Sequence, residues 1–349
     1  MKKWLGCFVI ILGLGLLYAC DNVSTTVTDV TDTSNTTVTD VTDTSNTTIT
    51  DVTDTSNTTL TDVTDIPDSK VPELTYTFVP SYNSGHMFDI YEVNQDGSQH
   101  KLLLEATYVG FNQADWSADG TVMAMWGWHS HSTISIYTYD TKTEKLTRLT
   151  NRVGVYDMFP HWSANNDKIV FTRQYIYEND RNEIWTMNPD GSDSKKIVDG
   201  YAASWSPDGQ KLVFSQVTNG NEDLYTCNSD GTNIVKLLDS PSNESFPMWS
   251  PNGQFIMFER FDSSEGVKDI SSYEICVLNL LTGEVNALTN NNHLDIAARW
   301  SPDGSKIAFL SQANGGSEIY VMNADGSEIK KVTTTADGSF ATFPSWRPS

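Results

Sequence analysis

Three observations predict an all-β fold. A tryptophan phrase recurs as Trp116-Ser-Ala-Asp-Gly120, Trp162-Ser-Ala-Asn-Asn166, Trp205-Ser-Pro-Asp-Gly209, Trp249-Ser-Pro-Asn-Gly253 and Trp300-Ser-Pro-Asp-Gly304, and a sixth copy begins at Trp346. The intervals are 46, 43, 44, 51 and 46 residues. Between the phrases lie short runs rich in β-branched and aromatic residues, such as Lys306 to Ser311 and Glu318 to Asn323, separated by Asp-Gly pairs that suit tight hairpins. No long amphipathic segment interrupts them. An interval of this length is that of one four-stranded blade, so the sequence predicts a six-bladed β-propeller.

The elements follow in chain order. Residues 1–19 read as a lipoprotein signal peptide: Lys2 and Lys3 precede an uncharged, mostly apolar run from Trp4 to Ala19, short of the ~20 residues a spanning helix needs. Leu17-Tyr18-Ala19-Cys20 resembles a bacterial lipobox, which makes Cys20 the acylated first residue of the mature chain and its membrane anchor. Residues 20–70 form a Thr- and Asp-rich segment in which Val27, Val38, Ile49 and Leu60 open copies of an 11-residue unit. Thr, Asp, Ser and Asn disfavour helix, and few apolar groups offset the ordering entropy, so a disordered tether is expected. Its 10 Asp and one Lys favour extension by self-repulsion.

Residues 71–349 are the predicted propeller. The first repeat, Leu74 to Leu104, has later strands but no tryptophan strand, whereas the last, Phe340 to Trp346, has only that strand. Together they make one blade, and the C-terminal strand closes the ring beside the N-terminal blade. The repeat also accounts for six of the 10 Trp.

Composition excludes several functions. Across 349 residues, 22 Lys plus Arg face 45 Asp plus Glu, a net charge of -23 that opposes binding to nucleic acid. Four Cys in so long a chain make no disulfide framework, and Cys227 and Cys276 occupy strand positions where buried free thiols are expected.

From Trp300 to Ser327 the chain reads tryptophan, Ser-Pro-Asp-Gly, an Ile-Ala-Phe strand, an Ile-Tyr-Val-Met strand and Asn-Ala-Asp-Gly-Ser. This resembles the TolB-like β-propeller repeat, and the resemblance covers residues 72 to 348. It implies the propeller fold; the tether and lipid stand where TolB itself carries an N-terminal α/β domain.

In four-stranded antiparallel blades the two Asp-Gly turns share one face, and the second-to-third-strand loops share the other with the blade-to-blade connections. The turns are read as hairpin formers rather than calcium sites. The opposite, variable face carries aromatics mixed with acids and amides: Trp128, His129 and His131; Tyr175 and Tyr177; Asp157, Phe159 and His161; Tyr201; Phe246; His293, Asp295 and Arg299. Such loops on a rigid ring suit a binding surface for an envelope protein, peptide or cell-wall glycan, with the channel mouth at its centre. Each of these aromatics is equally expected to pack between blades.

Chemistry is the rival reading. His129 and His131 offer two metal ligands, but no spacing fixes a third, so no metal or other cofactor is expected. His161 and His293, with Asp115, Asp157, Asp295 and Arg299, could line a catalytic mouth, as in oligogalacturonate lyases that resemble TolB-like propellers, although no motif matches residue by residue. A Gly-x-Ser-x-Gly elbow, as in peptidases that join a propeller to an α/β-hydrolase, is missing. The expected protein is a monomeric, lipid-anchored binding module in the cell envelope, with a carbohydrate-active lyase or hydrolase as the alternative.

Overall fold

The computed structural model describes residues 73–80, 88–106, 109–130, 133–177, 181–261, 273–336 and 338–349, together with the short strands Ser263–Ser264 and Val267–Lys268. The signal peptide, Cys20, the tether and His131 lie outside the described residues, as does the side chain of His129. Among the described residues every regular element is a strand.

Each tryptophan ends the first strand of a four-stranded antiparallel meander, and each meander is named below by that tryptophan. The Trp205 set comprises Tyr201–Trp205, Lys211–Thr218, Asn221–Asn228 and Val235–Lys236. The Trp249 set comprises Asn243–Trp249, Phe255–Phe261, Glu274–Asn279 and Val285–Ala287, and the Trp300 set Asp295–Trp300, Lys306–Ser311, Glu318–Asn323 and Lys330–Lys331. One eight-stranded sheet holds the Trp116 set, Gly110–Trp116 to Lys145–Arg148, and the Trp162 set, Val155–Trp162 to Lys195–Asp199. Separate blades were expected here. A single parallel bridge, Ile134 to Tyr156, joins the two because the third strand of one starts beside the tryptophan strand of the next.

The chain ends meet. Phe340–Trp346 pairs antiparallel with Leu74–Val79, and Asp89–Val93 and Lys101–Leu104 complete that sheet. Just past the strand, the Arg347 N–H donates to the Glu73 carbonyl (2.8 Å), while its guanidinium stacks on Trp116 (4.5 Å) and donates to the Gly120 carbonyl (3.0 Å). Gly120 is required at this crossing: it sits at φ +65, and a Cβ there would lie 2.2 Å from the Pro348 carbonyl oxygen.

The Asp-Gly turns hold themselves. In the Trp205 set Asp208 accepts the Ser206 hydroxyl (2.5 Å) and the Gln210 N–H (3.0 Å). These bonds keep its carboxyl below the ordinary range, the Ser206 hydroxyl contributing most. Fourth strands are short and carry lysine, as in Lys101, Lys145, Lys195, Lys236 and Lys330, which discourages edge-to-edge pairing with another chain.

Neighbouring sets bury apolar faces against each other, with the tryptophans at the seams. Here one polar detail recurs. Trp116 Nε1 donates to Thr75 Oγ1 (3.1 Å), and Thr75 lies opposite Ser345, the residue before the preceding tryptophan. The corresponding positions facing Trp162, Trp205, Trp249 and Trp300 are Ala124, Val170, Val213 and Met257. All are apolar, and those four indole N–H groups are buried without an acceptor. A hydroxyl placed there would restore the bond, so Val170→Thr and Val213→Thr are each expected to raise stability by about 1 kcal/mol, against the usual loss for a buried Val→Thr. Denaturant midpoints of the two variants check this.

Candidate functional site

The centre of the molecule is built from one repeated backbone irregularity. In all six tryptophan strands the register with the second strand shifts three residues before the tryptophan, or within one residue of that point. The residues three before it, Gln113, Phe159, Ala202, Phe246, Ala297 and Phe343, all have φ between 47 and 56. A left-handed non-glycine residue costs ~1–3 kcal/mol, and six in equivalent places mark a bulge that the surrounding sheets enforce. The next set down the chain is held through these bulges: the N–H groups of Gln113, Ala202, Phe246 and Ala297 donate to Thr77, Thr172, Ser215 and Glu259 of the preceding set.

Phenylalanine occupies every second one of these positions. The rings of Phe159 and Phe246, from sets that are not neighbours, meet edge to face at 5.3 Å. Trp126 touches Phe159 (6.0 Å) and Phe343 (6.4 Å), and Tyr201 touches Phe246 (5.9 Å). Aromatic side chains of alternate sets therefore meet one another at the level of these bulges and form a plug. The sequence holds a signal for this that the loop-by-loop reading passed over, namely the alternation of Phe with Gln or Ala three residues before each tryptophan.

On the variable-loop side of the plug stands a layer of buried acids. Asp157, fully buried, receives Arg173 through both oxygens (2.7 and 2.9 Å), and that guanidinium lies over Trp185 at 4.3 Å. Glu244 pairs with Arg260 (3.3 Å), Tyr201 donates to Glu222 (2.7 Å), and Asn291 donates to Asp295 (2.7 Å). Burial pushes the carboxyls of Glu244 and Asp295 above their ordinary values. Glu259, accepting the Ala297 N–H at 2.7 Å, is pushed by burial to about 8.

Closer to the surface, Trp128 packs edge to face on Phe88 (5.2 Å) and on Trp126 (5.0 Å) of the plug, giving an aromatic track from rim to centre. Tyr175 is buried between the guanidiniums of Arg152 (5.5 Å) and Arg181 (4.4 Å). Tyr177 is 79% exposed. His293 is exposed on the loop before Asp295, its N–H donating to Asn291.

His161 and Arg299 lie elsewhere. Each directly precedes its tryptophan, at the end of the strand that enters the first turn of its set, Asn165-Asn166 after His161 and Asp303-Gly304 after Arg299. Four residues of strand span roughly 13 Å, so Arg299 and Asp295 stand on opposite sides of the plug. His161 faces Asp115 (3.8 Å), whose other oxygen accepts the Trp162 N–H (2.7 Å). The structure thus gathers Trp128, Asp157, Tyr175, Tyr177, Tyr201, His293 and Asp295 on one side, and His161 and Arg299 on the other. Among the described residues no three His, Cys, Asp or Glu side chains form a ligand set for a metal. Cys227 and Cys276 are buried and unpaired, one packed toward the Trp162 set and the other toward the Trp205 set; burial raises both thiols to about 11.

Antiparallel four-stranded sheets packed face to face, with the strand before the C-terminus paired to Leu74–Val79 and a tryptophan phrase repeated in each set, make a propeller-like arrangement. No family model matches the chain. The curated Tol-Pal system protein TolB of Francisella tularensis subsp. mediasiatica is 26% identical over 276 residues, covering 77% of this chain and 61% of that protein. TolB of Francisella tularensis subsp. holarctica is 26% identical over 271 residues, covering 76% and 60%. The chain therefore spans about three fifths of the length of the curated relatives it matches. Among solved structures, TolB from Acinetobacter baumannii superposes with a TM-score of 0.66 at 18% identity, over 80% of this chain and 69% of that one. A chain of a nidogen/laminin complex shares the fold as well, superposing with a TM-score of 0.60 at 11% identity, over 78% of this chain and 98% of that one.

Proposed function

We propose that this is a lipid-anchored cell-envelope protein whose propeller, a closed ring of six blades, is a non-enzymatic module that binds a protein, peptide or cell-wall glycan. The membrane anchor is the lipid on Cys20, and a flexible tether over residues 20–70 carries the propeller into the periplasm or to the cell surface. Binding falls to the variable-loop face, where Trp128 and Tyr177 stand at the mouth and the plug, with the buried Tyr201 against it, forms the floor. One observation supports this above the others: the aromatic contact of Phe159 with Phe246 turns the channel into a cup. It also separates the candidate catalytic set, because His161 and Arg299 stand below the floor while His293 and Asp295 stand above it. Similarity to the curated TolB proteins favours the same reading.

Photo-crosslinking residues at Trp128 and Tyr177 in cells are expected to capture the same envelope component, while one at Gln95 on the turn face does not capture it. Equal capture from both faces overturns the assignment. Cys20→Ser is expected to move the protein from the membrane to the soluble fraction, which tests the anchor separately.

A further inference from the structure

Where the first set meets the Trp300 set, on the side of the Asp-Gly turns, lies a cavity of 380 Å³ whose two walls carry opposite charge. The first set contributes Glu73 and Asp96, and the Trp300 set contributes Lys306, Val321 and Lys330. Strand register fixes the second wall. Lys306 stands opposite Asn323, and Val321, two residues earlier in that strand, stands opposite Lys330, so both lysines lie with Val321 on one face of the sheet. Val321 packs in one cluster with Leu74 and Tyr76, which turns this face toward the first set.

The walls do not neutralise each other. Lys306 Nζ donates to Asn323 Oδ1 (2.6 Å), and among the described residues neither Lys306 nor Lys330 makes an ion pair. The repeat contains a satisfied version of the same arrangement. Lys168, six residues past its tryptophan as Lys306 is, donates to Asn188 (2.7 Å) and also pairs with Asp193 (3.0 Å), five residues past that asparagine. Glu328 stands in the place of Asp193, with the same left-handed backbone (φ 55 against 52), yet Lys306 is not paired with it. The gap between the walls is set by main chain. A Cβ on Gly97, at φ +83, would lie 2.8 Å from the Val332 carbonyl oxygen, so the turn that carries Asp96 rests directly on the Trp300 set. Glu73 is held by the Arg347 N–H at its carbonyl (2.8 Å).

A lone anion in this cavity would face Glu73 and Asp96, and a lone cation would face the two lysines. A guest that carries both charges meets an opposite charge on each wall. The volume equals that of about a dozen waters at ~30 Å³ each and falls within the range of small-molecule sites, which suits a dipeptide rather than a single small ion. We propose that the seam cavity binds a zwitterion of dipeptide size, its carboxylate held by Lys306 and Lys330 and its ammonium by Glu73 and Asp96. Val321 and the lysine stems pack against its side chains. The site lies on the face opposite the binding surface proposed above and does not depend on it.

Alanyl-alanine titrated into the full chain at constant ionic strength, followed by calorimetry and by backbone amide shifts, tests the site. Saturable one-to-one binding is expected. N-acetyl-alanyl-alanine and alanyl-alanine amide, each lacking one charge, are expected to bind at least tenfold more weakly. Lys330→Gln, at an exposed position, is expected to keep its Tm and to weaken alanyl-alanine at least tenfold, and Lys306→Gln to weaken it as much. No saturable binding by either measurement overturns the site. The acetylated dipeptide binding as tightly as the free one overturns the zwitterion, and an affinity unchanged in Lys330→Gln overturns the placement.

Discussion

Stability is expected to fall by about 5 kcal/mol between pH 4.5 and 8 through Glu259 alone, and Glu259→Gln is expected to remove that part of the slope. In this window the unfolded carboxyl ionises while the folded one, held up by burial, keeps its proton. The folded state then binds more protons than the unfolded, so stability drops as pH rises, is fully present below 4.5, and is lost as pH passes through about 8. The cause lies in the repeat. Where Thr77, Thr172 and Ser215 serve a bulge N–H with a hydroxyl, which does not titrate in this range, the Trp249 set uses a carboxyl. Urea unfolding at several pH values measures the slope. Glu244, Glu274 and Asp295 are raised in the same direction, so a smaller slope survives in the variant. The turn aspartates, held low by hydroxyl and N–H donors, act only at more acidic pH. An unchanged slope in Glu259→Gln would show that this carboxyl is ionised in the fold.

Arg173→Ala is expected to cost about 4 kcal/mol, since it strands the fully buried Asp157 carboxylate and removes the stack on Trp185. Arg173→Lys keeps the charge but loses the two-pronged bond and most of the stack, and is expected to cost about half as much. The double variant Asp157→Ala/Arg173→Ala should lose less than the sum of the single variants, by about 2 kcal/mol or more. Strict additivity would mean that the two side chains do not act as a pair. Chemical denaturation of the four proteins decides it.

Much of the fold was legible because its period is written in one large, rarely used residue. Trp116 through Trp346 locate six strand ends, and the Asp-Gly pairs locate hairpins, both by local chemistry. The interior was legible in part. Asp157 and Arg173, Glu244 and Arg260, and Asp295 and Ser311 are each 16 residues apart and face one another across the first hairpin, so that spacing alone foretells the pairing. The bulge hid the rest. An extra residue in a strand reverses the in-out alternation beyond it, and the four residues from Asp157 to His161 span roughly 13 Å of strand, so the two, near each other in sequence, stand on different sides of the plug. Phe159 and Phe246 looked like loop aromatics for the same reason, and Glu259 carries no local mark that sets it apart from an ordinary strand glutamate.

Consider finally where the chain enters. Leu74–Val79 is hydrogen-bonded on both flanks, to Phe340–Trp346 and to Asp89–Val93. A mechanical pull applied through the segment before Glu73 runs along this strand rather than across it, so the load falls on both ladders in shear at once instead of opening them bond by bond. Arg347 grips the Glu73 carbonyl at the point of entry and fastens it to the neighbouring sheet through Gly120. A domain tugged from a membrane by its N-terminus would therefore resist at the one seam where its two chain ends are joined.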